Sequence, residues 1–142
     1  MVSRLRQIDL DQCQSLDLSY LITLYSNLMQ DELELDEKEK VLAMLLATYR
    51  SDSIRKEMQR PSPKNVHLWQ TISYNVVSLV PGLTWMGEEE AGEVESLCWE
   101  EIVRMLEVLT QKPGPWSEVP VDLQEKIMQN VCEALRGLIL VQ

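Results

Sequence analysis

The sequence predicts an all-α protein, a compact bundle of about five helices. Three observations carry this expectation. Apolar residues recur every three or four positions through five long segments, the period of an amphipathic helix. The composition favours helix formers, with 22 leucines and 7 methionines and no phenylalanine. Loop signals gather at three places: Arg60 to Lys64 with two prolines, Pro81 to Gly87, and Gln111 to Ser117 with Pro113 and Pro115. The intervening pieces are too short for separate domains. The 142 residues therefore make a single helical domain, 1–142, large enough to bury its own core. Residues 1–15 form either a short helical or a flexible, extended arm.

The first helix runs from about Leu16 to Leu33. Leu18, Leu21, Ile22, Leu24, Tyr25, Leu28 and Met29 share one side, with Ser15 or Asp17 placed to cap it. The second starts near Asp36. Asp36 and Glu39 have the spacing of a capping box, and Leu35 that of a hydrophobic staple. Ser51 or Asp52 opens a short continuation through Ile54 and Met58, ended by Pro61. Residues 65–80 contain enough valine and isoleucine to suit a strand. The helical template fits better: Val66, Leu68, Trp69, Ile72, Val76, Val77, Leu79 and Val80 fall within one half-turn.

The fourth long helix covers about Glu88 to Thr110. Three glutamates suit the positive end of its dipole. Its apolar arc spans well over half the circumference, so it is buried on several sides or serves a partner on one of them. Glu101 projects into that arc, which predicts a buried carboxylate with a raised pKa, or an arginine or lysine beside it. Arg104, three residues on, projects about 60° away. The last helix runs from about Pro120 to Leu140, with one stripe holding Leu123, Ile127, Met128, Val131, Cys132, Ala134, Leu135, Leu138 and Ile139.

Composition excludes several kinds of chemistry. The 23 acids against 13 bases give a net charge of −10, which argues against a duplex nucleic-acid binder. The single histidine, His67, falls on a polar helix face, so no nucleophile–histidine pair or zinc set is expected. No Gly-rich phosphate loop occurs. Cys13, Cys98 and Cys132 form no CxxC pair, and Cys98 and Cys132 lie on apolar stripes as small buried residues. No apolar run is long enough to span a membrane and no secretory signal opens the chain, so a cytoplasmic protein is expected. No cofactor is expected.

Magnesium needs only carboxylates. Glu90 with Glu93, and Asp122 with Glu125, resemble the paired acidic motifs of all-α nucleoside-triphosphate pyrophosphohydrolases. The resemblance implies a magnesium-dependent nucleotide hydrolase in which these four acids converge. The second pair departs from the pattern, with aspartate first and no flanking base. Charge is also unevenly placed. Glu88 to Glu107 holds eight acids and one base, whereas Arg50 to Lys64 holds five bases and two acids. The acidic stretch is ordinarily a solvated helix face; alternatively, it mimics nucleic-acid charge towards a basic partner.

The reading preferred on elimination is a non-catalytic protein–protein interaction or assembly protein, with homodimerisation possible. Its expected surface is the apolar face of the fourth long helix, through Trp99 and Val103. Trp85, Met86 and Trp116 in the flanking loops are the anchors. Glu93 and Glu100 belong to the acidic surround that guides approach.

Overall fold

The computed structural model describes residues 7–30, 34–84, 86–111 and 119–141. They form an all-α bundle: α1 (Ser15–Gln30), α2 (Leu35–Tyr49), the short α3 (Asp52–Glu57), α4 (Val66–Gly82), α5 (Glu88–Leu109) and α6 (Val121–Val141). No strand occurs among the described residues. Ahead of α1 lies one 3-10 turn, Leu10–Gln12, capped by the Asp9 carboxylate on the Asp11 N–H at 3.0 Å. Ser53 of α3 fastens this turn by donating to the Leu10 carbonyl at 2.9 Å.

Local chemistry sets each boundary. Asp17 reaches back to accept from the Gln14 N–H at 3.0 Å, which secures the start of α1. Helix α2 begins one residue before the expected Asp36 start. Glu34 holds its N-cap position without a side-chain bond, and Leu35 is 60% exposed, so neither the capping box nor the staple forms. Ser51 caps α3 as expected, its Oγ accepting from the Ile54 N–H at 3.4 Å. Asn65 ties the α3–α4 loop together. Its Oδ1 accepts from the Ser62 N–H at 2.7 Å, and its Nδ2 donates to the Glu57 and Arg60 carbonyls, both at 2.9 Å. Helix α4 then runs past residue 80 and includes Pro81 in its last turn; proline has no N–H for the usual bond to the carbonyl four residues back, and the helix ends one residue later at Gly82.

Residues 66–80 are helical, with Asn65 as the N-cap residue, and packing explains their broad apolar character. Helix α4 is the hub, packing against α1, α5 and α6, and Leu68, Trp69, Ile72 and Val76 are almost fully buried. A helix covered on several sides needs apolar residues round much of its circumference. Contact with α6 is the most extensive. At Gly137 the two helices come so close that a Cβ there would stand 3.0 Å from Val80 Cγ1.

Candidate interaction surface

The wide apolar arc of α5 is largely consumed inside the bundle. Val94, Leu97, Cys98, Ile102, Met105 and Val108 are buried, and α5 packs against both α4 and α6. Trp99 and Leu106 are half-buried on its flank. Val103 is 48% exposed, with exposed Glu100 and Glu107 on the same side of the helix. Glu93 is exposed as well. Met86 is buried in the core cluster rather than displayed. Trp85 and Trp116 lie outside the described residues.

The larger uncovered apolar surface lies on α6. The single stripe expected there divides into two. Ile127, Val131, Ala134 and Leu138 are buried against the bundle. Met128 (37% exposed), Cys132, the half-buried Leu135 and Ile139 (59% exposed) follow one position later, about 100° further round the helix. Val121 continues the same line towards the start of α6 and is also exposed. Cys132 therefore corrects the expectation of a buried thiol: it sits in the middle of this outer stripe. Cys98 is buried as expected, and burial is the main cause pushing its thiol up to about 12, with Glu101 and Glu95 adding to the rise. Cys13 is half-buried, and its Sγ lies 3.6 Å from the Asp9 carbonyl.

Beneath the surface, the two charge blocks meet. Glu101 is completely buried, and its Oε1 accepts from Arg104 Nη1 at 3.0 Å. Arg55 of α3 approaches the same oxygen at 3.9 Å, while Oε2 has no hydrogen-bond partner. Burial raises the Glu101 pKa to about 7; Arg55 opposes the rise and Glu100 adds to it. Arg104 lies nearer than its projected angle implied, because residues three apart are neighbours on a helix surface. A weaker surface pair, Arg50 with Glu93 at 4.0 Å, repeats the link between the basic and acidic stretches. Arg104 also pairs with Glu100 at 3.8 Å. The acidic stretch is thus partly neutralised from within the fold, which weakens its reading as an uninterrupted mimic of nucleic-acid charge.

Tyr49 of α2 completes the buried polar set. Its hydroxyl donates to Asn75 Oδ1 at 2.5 Å, and burial, followed by Glu101 and Cys98, holds its pKa well above the ordinary value. Asn130 Nδ2 donates to Ser73 Oγ at 3.0 Å, joining α6 to α4. His67 is exposed. Among the described residues no three histidine, cysteine or acidic side chains gather as a metal-holding group, so Glu90, Glu93, Asp122 and Glu125 do not converge. Nor is any described helix long and apolar enough to cross a membrane. Comparison of the chain with protein-family models, curated proteins and solved structures gives no match.

Proposed function

We propose that this chain is a non-catalytic assembly protein that binds a second copy of itself through the outer stripe of α6. One observation carries the reading: Met128, Cys132, Leu135 and Ile139 leave an apolar line on a helix whose other apolar half is already buried. Their spacing of four, three and four residues is that of a two-stranded helical seam. The line is also self-complementary. If two copies of α6 pack antiparallel about a two-fold axis, Met128 faces Ile139 of the second copy and Cys132 faces its Leu135. An isologous contact requires this reciprocity. With Val121, the stripe extends over about 27 Å of helix. The exposed Val103 and half-buried Trp99 of α5, with the exposed Glu93 and Glu100 on the same helix, are a secondary, smaller contact in this proposal.

Native mass by light scattering across a dilution series tests this reading. The wild type should pass from monomer to dimer as concentration rises. Ile139→Glu should remain monomeric at every concentration and keep the melting temperature of the dilute, monomeric wild type, because the side chain it replaces is mostly solvated. Val103→Glu should weaken association less. A wild type that stays monomeric throughout, or an Ile139→Glu variant that dimerises normally, would refute the proposal.

A further inference from the structure

We infer that the cleft between α1, α4 and α6 binds a small organic acid, with the Asn75 amide and the Lys126 ammonium as donors to its carboxylate. The cleft has a volume of about 270 Å³, just under the range of drug-sized sites, which suits a small metabolite. No carboxylate lines it, although the chain carries 23 acids. Its charged lining group is Lys126, which is exposed at the α6 side.

The independent observation is Asn75. This side chain lines the cleft while only 2% exposed. The Tyr49 hydroxyl occupies its Oδ1 at 2.5 Å, which fixes the amide. Its Nδ2 is buried and has no hydrogen-bond partner. A buried amide donor left unpaired is costly, and an acceptor-rich ligand on the cleft floor would satisfy it. The neighbouring polar groups are already held in place. Asn130 Nδ2 donates to Ser73 Oγ at 3.0 Å, and Ser73 donates to the Gln70 carbonyl at 2.8 Å. Ile22 adds an apolar wall, and the exposed Tyr74 ring stands at the rim. The fixed, unpaired Asn75 Nδ2 selects for an acceptor, and the lysine for negative charge.

This site is separate from the proposed self-association surface, since Lys126 lies roughly half a turn round α6 from the outer stripe. The test is titration of the full chain with pyruvate, succinate, glutamate and, as neutral control, succinamide, each to about 10 mM, in the weak range for specific binding. Side-chain amide NMR signals are followed. At least one acid should saturate and shift the Asn75 amide, succinamide should bind more weakly, and Lys126→Met should weaken the acid at least tenfold without changing the melting temperature. The proposal is overturned if no acid saturates, if the Asn75 amide does not move, if succinamide binds as tightly as succinate, or if Lys126→Met binds normally. None of these outcomes depends on the oligomeric state.

Discussion

Replacing Glu101 by glutamine should make the protein less sensitive to pH, and the structure gives the sign and the size. Burial raises this carboxyl from an ordinary 4.5 to about 7. The folded chain therefore holds a proton that the unfolded chain releases between those values. Stability from this group is fully present below pH 4.5 and is lost as pH rises through 7. At about 1.4 kcal/mol per pKa unit the total is about 3 kcal/mol, of which about 2 to 3 kcal/mol falls between pH 5 and 8. Urea denaturation of the wild type and of Glu101→Gln across that range measures it. Near pH 5 the two should be close, since glutamine resembles the protonated acid. By pH 8 Glu101→Gln should be the more stable by about 2 to 3 kcal/mol. A constant difference, or a wild type that gains on the variant as pH rises, would mean that Arg104 and Arg55 keep the carboxylate ionised in the folded state.

Other expectations follow from the packing. Tyr49→Phe removes the hydroxyl that donates to Asn75, leaving a buried oxygen unpaired, and should cost about 1 to 3 kcal/mol in denaturant unfolding. Gly137→Leu forces a side chain towards Val80 where α4 and α6 are closest, and the same assay should show a loss of about 1 to 3 kcal/mol. Ser51→Ala removes the α3 cap and should lower stability by about 1 kcal/mol. Self-association should strengthen between low and high salt, because screening relieves repulsion between two copies of net charge −10; sedimentation equilibrium in both conditions checks this.

Periodicity made the helices legible, including residues 65–80, where valine content alone pointed to a strand. It also places Glu101 inside an apolar arc. It did not show which part of an arc is covered. On α6, Ile127 and Met128 are adjacent in one stripe, yet only Ile127 is buried. That outcome depends on how α6 lies against α4 and α5, a long-range matter that no local pattern encodes. The same limit applies to α5, whose width reflects two neighbouring helices more than an external surface. Arg55 was hidden for a related reason. It belongs to another helix 46 positions from Glu101, and no spacing rule connects them. At the start of α2 the capping-box spacing is present, but the helix begins at Leu35 with Glu34 at the N-cap position, two residues early for that box.

Cys132 is a natural probe at the middle of the outer stripe of α6. Alkylation of each cysteine should be followed by mass spectrometry in dilute and in concentrated protein. Cys98 is buried, and its thiol, pushed up to about 12, should stay unmodified in both. The half-buried Cys13 lies outside the stripe and serves as the reference. If a second copy covers α6, Cys132 should react quickly in dilute protein and several-fold more slowly in concentrated protein, with Cys13 unchanged. A Cys132 rate independent of concentration, from dilute solution up to the highest attainable, would contradict self-association through this face.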